Sequence, residues 1–155
     1  MKKKLALIIL GMIMILNLTG CLQLKKDFID TEKFVSVAES NDMTVADVLK
    51  QYSKYDYIIE ATVAQNNKDK WQVEFYQLDS PDKAKAMFES NKEILKNGIS
   101  AKMEWSKQAG NFGHYSITGD EKYGYLSYIE DTFLYVHVDK KYKEAVQEYV
   151  EKLGY

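Results

Sequence analysis

Arginine is absent from this 155-residue chain, and cysteine and proline occur once each. Without arginine all 21 basic residues are lysines, so the planar fork that grips phosphate or carboxylate at two points is missing and phosphate ligands are disfavoured. A lone cysteine excludes an intramolecular disulfide, and core burial must hold the fold. Only His114 and His137 can serve as imidazole bases. The glycines Gly110, Gly113, Gly119 and Gly124 lack the spacing that cradles a phosphate. Long apolar runs are scarce too: Leu5 to Leu16 is twelve residues interrupted only by Gly11, short of the roughly 20 that a membrane-spanning helix needs.

What surrounds that run gives it a meaning. Lys2, Lys3 and Lys4 precede it and small residues follow, the layout of an export signal. It closes on Leu18-Thr19-Gly20-Cys21, a lipobox in which the Cys21 thiolate is the nucleophile that takes up a diacylglyceryl group. The expectation is that residues 1–20 are removed, that 21–29 are a lipidated cysteine and short tether, and that 30–155 are a single extracytoplasmic domain on the outer face of the cell membrane. Two acyl chains, at roughly 0.8 kcal/mol per buried methylene, make such an attachment stable. The competing reading is an uncleaved signal anchor, in which Leu5 to Leu24 spans and Cys21 is merely a small buried hydrophobe.

Removing the first 20 of 155 residues leaves 135, enough for one domain with a real core. Without Lys2 to Lys4, 18 lysines face 23 acids and the net charge is about −5, which argues against a nucleic acid partner.

Periodicity predicts the elements. Asp30 or Thr31 caps a helix carrying Phe34, Val35, Val37 and Ala38 and ending before Asn41. Thr44-Val45-Ala46-Asp47 resembles a capping box, and Val45, Val48, Leu49 and Tyr52 follow at helical spacing. The strand alternative, with Met43, Val45 and Leu49 on one face, would put Asp47 on that face as well. Tyr57 to Ala64 and Lys70 to Leu78 alternate around a polar turn, and Ser80-Pro81 opens a helix whose stripe is Ala84, Met87, Phe88, Asn91, Ile94 and Leu95, ending near Asn97-Gly98. About 60 residues on, the pattern recurs: Tyr123 to Ile129 and Thr132 to Val138 form a hairpin, Asp139 caps, and Tyr142 to Leu153 is a helix closed by Gly154. Two further strands, with Ala101, Met103 and Trp105 alternating with Lys102 and Glu104, and Tyr115 and Ile117 alternating with Phe112, His114 and Ser116, flank a turn at Lys107 to Asn111.

These elements predict an α+β two-layer sandwich, an antiparallel sheet of about six strands with helices on one face and a duplicated hairpin-helix unit. A two-residue turn at Glu130-Asp131 pairs Ile129 with Thr132, Ser127 with Leu134, Tyr125 with Val136 and Tyr123 with Val138. Leu134, Val136 and Val138 then face the helices, and Leu126, Tyr128, Phe133, Tyr135 and His137 share the opposite, outer face. The same logic adds Glu60, Glu74, Tyr76, His114 and Ser116. Tyr76, His114, Tyr128, Phe133, Tyr135 and His137 are therefore the candidate ligand or partner face, since tyrosines join a large apolar body to a polar handle. The plainer alternative is cross-strand packing, which stabilises sheets by about 0.2 to 1 kcal/mol per pair without binding anything.

No catalytic constellation is visible. Neither histidine sits in a Ser-His-Asp or metal-ligand spacing, and a metal held by both with Glu60 or Glu74 has no motif behind it. Asp120-Glu121 and Glu130-Asp131 flank turns, where solvated acids are ordinary. No catalytic residue, metal or cofactor is therefore expected. The reading that results is a non-catalytic binding or interaction module, with membrane lipid bound through Cys21 and a protein, peptide or glycan as partner. The alternative is an enzyme or enzyme accessory acting on cell-envelope material.

The lipobox at Cys21, the run Gln72-Val73-Glu74-Phe75-Tyr76 followed by Ala84, Phe88 and Asn91, and the close of the chain from Leu134-Tyr135-Val136 through Tyr142-Lys143 to Leu153-Gly154-Tyr155 resemble a group of small lipoproteins of low-GC Gram-positive bacteria. The resemblance implies a surface-anchored α+β domain and supplies no catalytic residues.

Overall fold

The computed structural model describes residues 25–155, so the expected signal segment and Cys21 lie outside the described residues. Seven strands, all antiparallel, are β1 (Met43–Asp47), β2 (Ile58–Asn66), β3 (Gln72–Leu78), β4 (Met103–Ala109), β5 (Phe112–Thr118), β6 (Lys122–Ile129) and β7 (Thr132–Asp139). They form one open sheet in the order β1-β2-β3-β7-β6-β5-β4. Among the described residues the α-helices are α1 (Thr31–Ser40), α2 (Pro81–Gly98) and α3 (Lys143–Leu153). The α+β class is as the periodicity predicts, with seven strands in place of about six.

Local chemistry accounts for most boundaries. The Asp30 carboxylate accepts from the Lys33 amide at 2.8 Å and starts α1, Pro81 opens α2 behind Ser80, and Gly154 closes α3 at φ 102°, a left-handed conformation that glycine adopts without strain. The β6–β7 hairpin has the predicted register throughout, from Ile129 opposite Thr132 to Tyr123 opposite Val138. Lys107 to Ala109, read from sequence as turn, belong to β4, and only Gly110 and Asn111 connect it to β5.

Residues 43–47 form a strand and 49–52 a 3₁₀ turn rather than one helix. Val45 pairs with Ala64 and so extends the sheet past β2, while Asp47, at the strand's exposed end, accepts from the Leu49 amide at 2.8 Å and caps the turn instead of burying its charge. Lys26 and Ile29, within the stretch read from sequence as tether, are held by the domain. Lys26 and Asn111 exchange two hydrogen bonds, the Lys26 amide donating to Oδ1 at 2.9 Å and Nδ2 donating to the Lys26 carbonyl at 2.8 Å, and Ile29 is buried among core residues.

The helices do not share one face. Phe34 and Ala38 of α1 and Val146, Tyr149, Val150 and Leu153 of α3 pack with Val73, Phe75, Tyr125, Leu134 and Val136. On the other side Ala84, Phe88 and Leu95 of α2 pack with Tyr76, Tyr115, Leu126, Tyr128 and Phe133. The two hairpin-helix units thus send their helices to opposite faces. Gly113 and Gly124 make room for this second layer: a Cβ at Gly124 would lie 2.7 Å from Leu95 Cδ1, and one at Gly113 would collide with the Tyr128 ring.

Candidate functional site

Cross-strand register places the predicted residues. Tyr76 pairs with Phe133 and Phe133 with Tyr128, while Glu74 pairs with Tyr135. With His137 two residues beyond Tyr135 on β7, five of the six share a face as expected. That face is not open where three of them lie. Tyr76, Tyr128 and Phe133 are buried, because α2 sets the Phe88 ring edge-on against Tyr128 at 5.2 Å and the 3₁₀ turn sets Tyr52 edge-on against Tyr76 at 5.3 Å. Tyr135 is half-buried and His137 is exposed. Burial and Lys122 lower the His137 pKa, against the smaller opposing pull of Asp139.

The polar ends of this row form a short chain. The Tyr76 hydroxyl donates to Glu74 Oε2, which leaves Tyr52 as the donor across the 2.7 Å between its hydroxyl and that of Tyr76. Burial, reinforced by the Glu74 charge, raises the Tyr76 pKa far enough to keep the phenol protonated. The same carboxylate, after burial, raises Tyr135. This chain holds Tyr76 at the margin of the core as a hydrogen-bond donor.

His114 departs from the predicted set. It pairs with Ser127, whereas Tyr115 pairs with Leu126, so His114 and Ser116 face α1 and α3 while Tyr115 and Ile117 face α2. Glu60 moves with them, since Ala61 rather than Glu60 stands beside Tyr76. The reason is that both faces are apolar, and alternation alone does not say which is which. His114 and His137 consequently lie on opposite faces and cannot ligate one ion.

The His114 ring is wedged edge-on between Trp105 at 4.5 Å and Tyr125 at 4.6 Å. Burial, then repulsion from Lys26 and Lys107, lowers its pKa to about 4, so it is a neutral aromatic at pH 7. Across β4, β5 and β6 these three rings run from the solvated sheet edge into the core: Trp105 is 50% exposed and Tyr125 is 2% exposed. Trp105 shares its strand face with Met103, 64% exposed, and with Lys107, which stands opposite His114. Lys26 reaches the same place from the N-terminal segment, its ammonium 5.5 Å from the Phe112 ring centroid, as is that of Lys107.

This open end of the α1/α3 face went unrecognised in the sequence. The alternation of Met103 and Trp105 was visible, but not that the strand runs on through Lys107, that β4 is an edge strand with almost its whole length exposed, or that Lys26 folds back over β5. The other side of β4 is tethered to α2 by an ion pair between Lys96 and Glu104 at 3.5 Å and by a hydrogen bond from the Gln108 amide to Glu89 at 2.7 Å. The edge strand is therefore held in place with its Trp105 face outward.

No protein-family model matches the chain, and no curated protein does. Among solved structures, the fold is similar to a GTP binding regulator from Thermotoga maritima, with a TM-score of 0.50 and 18% identity over 81% of this chain and 84% of that one. At that identity the likeness is one of fold, an antiparallel sheet with helices.

Proposed function

We propose that the chain is a lipoprotein, anchored through Cys21 on the outer face of the cell membrane and acting there as a non-catalytic binding or interaction module. The observation that carries this reading is the interval between the lipobox cysteine and the first residue fixed in the fold. Four residues lie between Cys21 and Lys26, a span of five residue-to-residue steps, and Lys26 is clamped to Asn111 by two hydrogen bonds. At about 3.3–3.6 Å per extended residue the leash is roughly 18 Å long. A domain on so short a leash works at the membrane surface. Binding rather than catalysis is supported by the histidines: the His114 imidazole is packed between two rings and neutral, while His137 stands on the far side of the sheet, so the two cannot act on one substrate atom.

Metabolic labelling with a tagged fatty acid tests the anchor. The wild-type chain takes up label and Cys21→Ala does not. Label persisting in Cys21→Ala removes the lipoprotein reading.

A further inference from the structure

We propose that the open end of the α1/α3 face, with Trp105 and Met103 beside Lys26 and Lys107, rests on the anionic headgroup layer of the bilayer that holds the anchor. The inference rests on the lipoprotein reading and says which surface of the domain meets the membrane.

The geometry is set by where the chain enters the fold. Lys26 lies at the Asn111 end of the β4–β5 hairpin, over the face that carries Phe112, His114 and Trp105. Trp105 stands opposite Ser116, four residues along β5 from Phe112, which is about 14 Å at strand spacing. The leash of roughly 18 Å covers that distance, so a bilayer holding Cys21 has Trp105 within its range. The opposite face, under α2, is turned away from the point of entry.

The chemistry matches an interface rather than open water. Tryptophan favours the headgroup level, where its ring is half-solvated, and lysine stems lie along apolar surface with the ammonium directed at phosphate. Neutral His114 backs the Trp105 ring without adding charge. The Lys26 and Lys107 ammonium groups each stand 5.5 Å from one phenyl ring, that of Lys26 also donating to the Gly154 carbonyl at 3.0 Å; burial first, and then repulsion from Lys107, lowers the Lys26 pKa, and an anion beside the two lysines relieves the repulsion. Lys107 makes no ion pair among the described residues, and Lys25 is matched to Glu130 at 3.7 Å. The attraction of lysines to an anionic surface suits orientation of a domain already anchored by acyl chains.

Trp105 itself is the probe. The lipidated full chain is reconstituted in vesicles of phosphatidylglycerol and phosphatidylcholine carrying brominated acyl chains, and quenching of tryptophan emission is read on material that floats with the vesicles. Trp71, 7% exposed in the core, is replaced in a Trp71→Phe variant so that Trp105 reports alone; the unmodified chain gives the same answer as partial quenching. The expected result is quenching and a blue shift of Trp105, reduced by Lys107→Glu when phosphatidylglycerol is present. Flotation with unquenched Trp105 overturns the inference and leaves the anchor standing. Trp105 shielded from acrylamide but not quenched by bromolipid also overturns it, because a second copy then covers the face. Quenching equal in pure phosphatidylcholine and indifferent to Lys107→Glu overturns the assignment of an anionic surface. Failure to float overturns the lipoprotein reading and this inference with it.

Discussion

Phe133 and Leu134, neighbours in β7, are both fully buried, Phe133 beneath α2 and Leu134 on the face covered by α1 and α3. A strand whose consecutive side chains point to opposite faces and are all buried belongs to the middle of a three-layer structure. That relationship determines how substitutions along β7 should behave.

Phe133→Ala is expected to cost about 3 to 5 kcal/mol and Leu134→Ala about 2 to 5, through lost burial and a residual cavity. Tyr135→Ala, on the same face as Phe133 but half-buried beside Glu74, should cost about 1 kcal/mol from lost cross-strand contact. Urea denaturation of the three single variants checks the order. A Phe133→Ala protein as stable as the parent would mean that α2 does not cover that row.

Gly113 lies against the Tyr128 ring, where a Cβ has no room. Gly113→Ala should therefore destabilise by about 1 to 3 kcal/mol through overpacking. Because the obstacle is one ring, the penalty should largely vanish in a Tyr128→Ala background. A double-mutant cycle measures that coupling, and additive effects would place the strain elsewhere.

Removing one hydroxyl tests the Tyr52-Tyr76-Glu74 chain. Tyr76→Phe removes the donor to Glu74 Oε2, leaving that carboxylate only the Gln72 amide at 3.3 Å on Oε1, and should cost about 1.5 to 3 kcal/mol, the range for a hydrogen bond to a charged group. Tyr52→Phe keeps that bond and should cost about 1 kcal/mol or less. Thermal melts at pH 7 distinguish the two.

His114 should make stability depend on pH. Its pKa is about 4 in the fold and about 6.5 in an unfolded chain. Between those values the unfolded state binds the proton and the folded state does not, so stability rises with pH across the window. The contribution is complete above about pH 6.5 and is lost as pH falls toward 4. His114→Phe, which keeps a ring between Trp105 and Tyr125, should flatten this part of a stability-against-pH curve relative to the parent. NMR titration of the imidazole reads the same shift directly, and an ordinary histidine pKa would contradict the packing.

The sequence by itself determined the features written in local chemistry. Asp30, Pro81 and Gly154 act on the turns next to them, and a two-residue connection at Glu130-Asp131 sets the whole register of β6 against β7. Helical stripes and strand alternation therefore identified most elements and brought five of the six candidate face residues together. Only the tertiary structure decided which surfaces remain exposed, because a stripe on α2 says that the helix buries one side and not against which face of the sheet. A hint was present: the run Phe133-Leu134-Tyr135-Val136 is apolar without a break, as a strand covered on both sides should be. Residues 43–47 became a strand because Val45 could join the free edge of β2, a non-local gain that a helical spacing does not reveal. Trp105, His114 and Lys26 meet because β4 and β5 pair and the N-terminal segment folds back onto Asn111, contacts between residues as many as 85 positions apart that no periodicity within a single element encodes.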